Sequence, residues 1–205
     1  MSDQEFEQKK KYEIIIHGRG GQGAKTTAEL LAQAGLKAGL FVQAFPEFGP
    51  ERSGAPLRTF VRLSHDFIRS HEPIVSPEAV LILDDTLLNS KKVLNNLDQA
   101  QLIVVNSHRS AEEIENKLKE RENFRQGFQG KIKAIDASGI SQKIIGQDRP
   151  NTVILGYFAA LSQVVSVTDI EAAFQEKYLP KIGKELVKKN VQAIGQAYLQ
   201  ARSQF

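Results

Sequence analysis

Apolar residues occur along this chain as short β-branched runs separated by longer stretches with three–four spacing. Residues 12–17 (YEIIIH) form such a run, stopped by a glycine cluster, and the pattern predicts a buried strand. Residues 22–37 follow with Ala24, Ala28, Leu31, Ala32 and Gly35 on one face, a helical spacing. Residues 40–45 read as a second strand. Residues 46–56 carry too much Gly and Pro for regular structure. Residues 57–63 set Leu57, Thr59, Val61 and Leu63 against Arg58, Phe60 and Arg62, the alternation of a third strand. Further strands are predicted at 79–83 (AVLIL), 102–105 and 132–135, with helices near 86–97 and at 111–121 between them. From about Asn151 onward the pattern is helical. The last helix repeats Ile182, Leu186, Val187, Val191, Ile194 and Tyr198 at three–four spacing, and this stripe reads as core or subunit contact.

Strands alternating with helices predict an α/β fold: a Rossmann-like, mostly parallel sheet flanked by helices, with a C-terminal helical segment. Residues 1–205 read as one domain. Residues 1–10 are expected to fray, 126–130 to be a surface loop, and 151–205 to be a helical extension packed on the α/β core.

Composition narrows the class. Hydrophobic residues at 41% and charged residues at 25% exclude global disorder. Lys plus Arg number 27 against 24 Asp plus Glu, a net charge of +3. That excess is small and dispersed, so nucleic acid is not an expected partner. There is no cysteine, hence no disulfide and no thiolate to hold an iron–sulfur cluster. His17, His65, His71 and His108 are scattered without zinc-site spacing, and no metal is expected on this chain. The N-terminal residues lack the apolar core of a signal peptide. The longest apolar stretch, 153–167, is interrupted by Gly156, Ser162 and Gln163 and falls short of the ~20 residues a membrane helix needs. A cytoplasmic protein with no membrane contact is expected.

The candidate chemistry lies in Gly18-Arg19-Gly20-Gly21-Gln22-Gly23, a G-x-G-x-x-G pattern directly after a predicted strand and before a helix. Glycines permit a tight turn without Cβ obstruction, and free N–H groups at a helix start favour a phosphate. A dinucleotide site would require an acid at the end of the second strand. Val42-Gln43-Ala44-Phe45 supplies none, and Glu47 follows only after Pro46. A nucleoside-triphosphatase loop would place Lys directly after the last Gly. Here Ala24 intervenes, and one residue turns a helix by about 100°, so Lys25 and Thr26 are expected to miss the phosphate and metal. The same glycines could instead serve only close strand–helix packing. Asp84 and Asp85, after the 79–83 strand, read as caps of the next helix. His17 reads as a packed, hydrogen-bonded residue, and residues 109–121 as a solvated helix face.

Larger blocks carry a resemblance. GRGGQGAKTTAELLAQAG followed by QAFPEFGPERSGAPLRTFVRLS is similar to the gamma subunit of pyruvate:ferredoxin oxidoreductases. Glu47-Phe48-Gly49-Pro50-Glu51-Arg52 and Gly54-Ala55-Pro56 stand in the family's order. Val105-Asn106-Ser107, Arg149-Pro150-Asn151-Thr152 and Leu155-Gly156 also resemble it, so the likeness extends from Ile14 onward. The resemblance implies a subunit of a 2-oxoacid:ferredoxin oxidoreductase that converts a 2-oxoacid (pyruvate preferred over branched-chain 2-oxoacids and 2-oxoglutarate) and coenzyme A to an acyl-CoA and carbon dioxide. It implies alpha, beta and delta-type partner subunits, and ferredoxin or flavodoxin as electron acceptor. Thiamine diphosphate, Mg2+ and iron–sulfur clusters would sit in the partners, leaving this chain inactive alone and without a catalytic residue. Gly18, Arg19, Gly20, Gly21, Gln22, Gly23, Glu47, Gly49, Glu51, Arg52 and Asn151 are then the expected coenzyme A contacts. A self-sufficient NAD-dependent dehydrogenase or ATPase remains the alternative.

Overall fold

Six strands pair into one sheet in the computed structural model, which describes residues 11–47, 54–97, 99–121, 124 and 128–204. They are β1 (Lys11–Arg19), β2 (Phe41–Pro46), β3 (Pro56–Ser64), β4 (Ala79–Ile82), β5 (Leu102–Asn106) and β6 (Lys131–Ile135), in spatial order β2-β3-β1-β4-β5-β6. β1, β4, β5 and β6 run parallel. β3 is antiparallel to β1, and β2 is antiparallel to β3. The sheet is therefore mostly parallel, as predicted, with β3 alone reversed. That reversal was not anticipated: the strand after the first helix lies at the sheet edge instead of beside β1.

Side chains alternate between the two faces. Ile14, Ile16, Leu81 and Val104 point to one core, shared with α1 (Ala24–Lys37), α4 (Ala137–Ile145), α5 (Pro150–Ser162) and α6 (Val167–Arg202). Ile15, Val80, Ile82, Ile103 and Val105 point to the other, covered by α2 (Lys91–Leu97) and α3 (Ala111–Lys119). α3 buries Ile114 and Leu118 and turns its charges outward, as the charge run predicted. The helix expected near 86–97 divides into a short 3-10 turn at Asp85–Asn89 and α2. α4 was not anticipated. It is short, capped by Asp136, whose Oδ1 accepts from the Gly139 N–H at 2.7 Å, and ended by Gly146. The expectations for residues 1–10, for 48–53 and for part of 126–130 lie outside the described residues.

α5 is buried on nearly every side because it lies between the sheet and α6. Removing a Leu or Ile side chain from such a position from water contributes roughly 1.5–3 kcal/mol. α6 breaks at Gly183 (φ 77°, ψ 166°), three residues after Pro180. Its first half is fastened to α1 by Lys177–Glu29 and by Lys37–Glu176 at 2.6 Å. Its second half meets α5 backbone to backbone: a Cβ on Gly156 would lie 2.0 Å from the Ile194 carbonyl oxygen. Replacing Gly156 by Ala is therefore expected to lower unfolding stability by about 1–3 kcal/mol in urea titration. Gly195→Ala is the control. Its Cβ would meet only Glu171 Oε1, at 3.4 Å, and higher helix propensity should leave stability unchanged or raised.

Candidate functional site

Parallel strands carry their loops to the same end of the sheet. β3 and β2 leave β1 on one side and β4 leaves it on the other, so the β1–β4 boundary is a topological switch point, where open α/β sheets form ligand crevices. A cleft of about 670 Å³ opens there. Gly21, Gln22, Gly23 and Thr26 form one wall. The turns after β4, β5 and β6 form the floor, and the N-terminus of α5 with the α6 break closes the far side.

The glycine loop is fastened by hydrogen bonds to the turn after β4 and to residues just ahead of β3. The Arg19 guanidinium donates from Nε to Asp84 Oδ2 at 3.0 Å, from Nη1 to the Gly54 carbonyl at 3.2 Å and from Nη2 to Thr86 Oγ1 at 2.7 Å. Gln22 Nε2 donates to the same Asp84 oxygen at 2.9 Å, and Gln22 Oε1 accepts from the Arg19 N–H at 2.7 Å. The Gly20 N–H donates to the Ala55 carbonyl at 3.0 Å, and the Gly20 carbonyl accepts from the Gly54 N–H at 3.3 Å. Asp84 also caps the 3-10 turn by accepting from the Thr86 N–H at 2.9 Å, the role its position predicted. Partial burial opposes its ionisation. Hydrogen bonds from the Thr86 hydroxyl, Gln22, the Thr86 N–H and Arg19 outweigh that and hold its carboxyl below the usual range. Asp85 accepts from Ser107 Oγ at 2.6 Å, which ties the β4 and β5 turns together.

Inside the cleft two helix N-termini meet. Gly21 and Gly23 are left-handed (φ 96° and 81°), and a Cβ on Gly23 would fall 2.7 Å from Asn151 Nδ2. Thr27 Oγ1 lies 3.0 Å from the Gly23 carbonyl and 3.1 Å from the Asn151 carbonyl, so the starts of α1 and α5 share one hydroxyl. Neither helix receives a side-chain cap at its first turn. Thr152 is 4% exposed and its Oγ1 has no partner among the described residues. An uncapped pair of helix starts beside a buried free hydroxyl suits an anionic group with acceptor oxygens.

Gly21, Gln22, Gly23 and Asn151 of the expected residues line this cleft. Gly18, Arg19 and Gly20 shape it from behind. Glu47 stands apart from it, paired with both Arg58 Nη2, at 2.8 Å, and Arg58 Nε. Gly49, Glu51 and Arg52 lie outside the described residues. Thr26 lines the cleft because the α1 start turns toward it, whereas Lys25 is exposed and forms none of its walls. Sequence reasoning missed Thr152; its signal was a polar residue at the first turn of an otherwise apolar helix. The acid that a dinucleotide site needs after its second strand would stand here at the end of β2, about 10 Å from β1 with β3 between them. Among the described residues no group of three or more His, Asp or Glu is placed to hold a metal. Without cysteine the chain has no thiolate donors for a cluster.

An open sheet with a glycine-lined cleft at its switch point defines a Rossmann-like protein with a ligand-sized cleft. The chain belongs to the pyruvate ferredoxin/flavodoxin oxidoreductase family, whose model matches residues 13–200. It is 36% identical over 190 residues to the pyruvate synthase subunit PorC of Thermotoga maritima, covering 93% of this chain and 94% of that one. It is 39% identical over 186 residues to the pyruvate/ketoisovalerate oxidoreductases common subunit gamma of Thermococcus kodakarensis, covering 91% and 95%. The crystal structure of the T. maritima pyruvate oxidoreductase subunit superposes with a TM-score of 0.75 at 34% identity, covering 93% and 96%.

His17 lies at the end of β1, opposite Arg58 of β3. It is packed, as expected, at 3% exposure, but its Nε2 has no partner among the described residues. The hydrogen-bonded state expected for it is thus not met at that atom. Burial, aided by the Arg58 charge, pushes its pKa from 6.5 down to about 3. A base with a depressed folded-state pKa is neutral in the fold, so its contribution is intact above pH 6.5 and is lost as pH falls from 6.5 toward 3. His17→Leu should remove a slope of up to about 1.4 kcal/mol per pH unit from the acid side of the stability profile. Urea titrations of both proteins between pH 7 and pH 4 check this; parallel profiles would contradict it.

Proposed function

We propose that this chain is the gamma subunit of a multi-subunit 2-oxoacid:ferredoxin oxidoreductase, with pyruvate as the preferred substrate. The complex converts pyruvate, coenzyme A and oxidised ferredoxin to acetyl-CoA, carbon dioxide and reduced ferredoxin. Family membership and the names of relatives that match over nine-tenths of the chain support this reading. The chain has no cysteine, so the clusters belong to alpha, beta and delta-type partners, together with thiamine diphosphate and Mg2+. Those cofactors supply decarboxylation and electron transfer, while this chain binds, orients and encloses. It works as one α/β unit carrying its helical extension, in the cytoplasm. Among its described residues no helix is long and apolar enough to cross a membrane.

Its specific task is to hold the phosphates of coenzyme A and help close the active site. The observation that carries this is the meeting of two uncapped helix starts at Gly23 and Asn151 beside the free hydroxyl of Thr152. Arg19 acts by fixing the loop. Glu47, Gly49, Glu51 and Arg52 precede in sequence Gly54 and Ala55, which are hydrogen-bonded to Gly20, and they are proposed to meet coenzyme A or a partner chain.

Thr152→Val removes the hydroxyl and keeps the volume. In the reconstituted complex it should raise the KM for coenzyme A about fivefold and leave the KM for pyruvate and the subunit composition unchanged. An unaltered KM for coenzyme A would refute the phosphate role. Thermal shift of the isolated chain by NAD or Mg-ATP, with none by coenzyme A, would instead favour the self-sufficient dehydrogenase or ATPase.

A further inference from the structure

The cleft has two chemically different sides. The Gly21–Gly23 and Thr152 side is polar and carries the two helix starts that the proposed function assigns to the phosphates. The opposite side, on α6, is apolar: Phe174, Tyr178 and Ile182 line it, and the first two rings stack at 4.6 Å with 28° between planes. Beyond the break at Gly183 one polar residue, Asn190, lines the same side.

Asn190 sits in a helix interior at 7% exposure, among the core positions Val187, Ala193 and Ile194. Asparagine is a poor helix residue, and its buried amide is costly unless both halves are used. Its Nδ2 donates to the Leu186 carbonyl at 2.8 Å, one turn back. That spends one N–H. The second N–H and the Oδ1 acceptor enter no hydrogen bond with the described residues, although the side chain borders the cleft. If packing alone decided the position, Leu would serve better. The geometry left over is one donor beside one acceptor, next to an apolar wall.

We propose that Asn190 is the specificity-determining residue for the heterocycle of the cleft's ligand, and that this ring is adenine. An amide that presents one acceptor and one donor matches an exocyclic amino group beside a ring nitrogen. The Phe174–Tyr178–Ile182 wall removes the ring's faces and edges from water. The phosphates then lie toward Thr152, and the nucleotide spans the cleft between two readers on opposite sides. The inference rests on coenzyme A being the ligand, as proposed above, and adds which part of it α6 recognises.

Calorimetry on the assembled complex separates the two ideas. Adenosine 3′,5′-bisphosphate and inosine 3′,5′-bisphosphate differ at the ring's amino group, and pantetheine lacks the nucleotide. The wild-type complex should bind the adenosine compound about tenfold more tightly than the inosine compound. In Asn190→Leu that ratio should collapse toward one through weaker adenosine binding, with pantetheine affinity unchanged. Asn190→Ser carries the same comparison if the Leu variant does not assemble. Equal binding of the two nucleotides by wild type, or an unchanged ratio in the variant, overturns the role of Asn190 and leaves the coenzyme A reading standing. Failure of wild type to bind either nucleotide overturns both.

Discussion

The cleft depends on the charge-assisted contact between Arg19 and Asp84. As a surface ion pair it is worth little: the two side chains are 33% and 17% exposed, and such pairs contribute up to about 1 kcal/mol. Its consequence is geometric. One guanidinium joins the end of β1 to the turn after β4 and to Gly54 just ahead of β3, and Gln22 doubles the link to Asp84. Three chain segments distant in sequence are thereby set at fixed positions around one opening. The partial burial of Asp84 is outweighed by its hydrogen bonds, which lower its pKa in the fold and favour the ionised form that accepts them. The fastening weakens only as pH falls to that lowered value.

From this fastening the remaining features follow in order. With Arg19 and Gln22 both held by Asp84, Gly21 and Gly23 turn left-handed and bring the start of α1 against the start of α5. The reversed strand β3 has a matching role. Lying between β1 and β2, it holds Gly54 and Ala55, just ahead of it, against Gly20 and moves the end of β2 out of reach of the crevice. A glycine pattern common to many nucleotide sites is thus used here without the acid that an NAD site employs. The wall facing the glycines comes from a helix more than a hundred residues later in the chain, at Asn151 and Thr152.

Much of this was legible in the sequence. The six strands were visible as apolar runs, five of them because they bury residues against a core and β2 because its partly buried Val42 and Phe45 pack against one, and Gly18–Gly23 was visible because left-handed turns select glycine. The cap at Asp84 was legible for the same local reason. What escaped was set by tertiary packing. Nothing local marks β3 as reversed, since alternation gives a strand no direction. α4 has only nine residues, too few for periodicity to stand out. Thr152 and Asn190 read as helix residues, and only the placing of α5 and α6 around the cleft brings them into its lining. Arg19 illustrates the converse. Its charge beside a glycine loop suggested a phosphate contact, but the guanidinium is taken up by Asp84, Thr86 and Gly54.

The most direct test of the account is a structure of the assembled complex with coenzyme A bound. It should show phosphate oxygens within hydrogen-bonding distance of the Gly21–Gly23 backbone and Thr152 Oγ1, with Arg19 still on Asp84. Coenzyme A held entirely by partner chains, with the Gly23–Asn151 junction filled only by water, would contradict it.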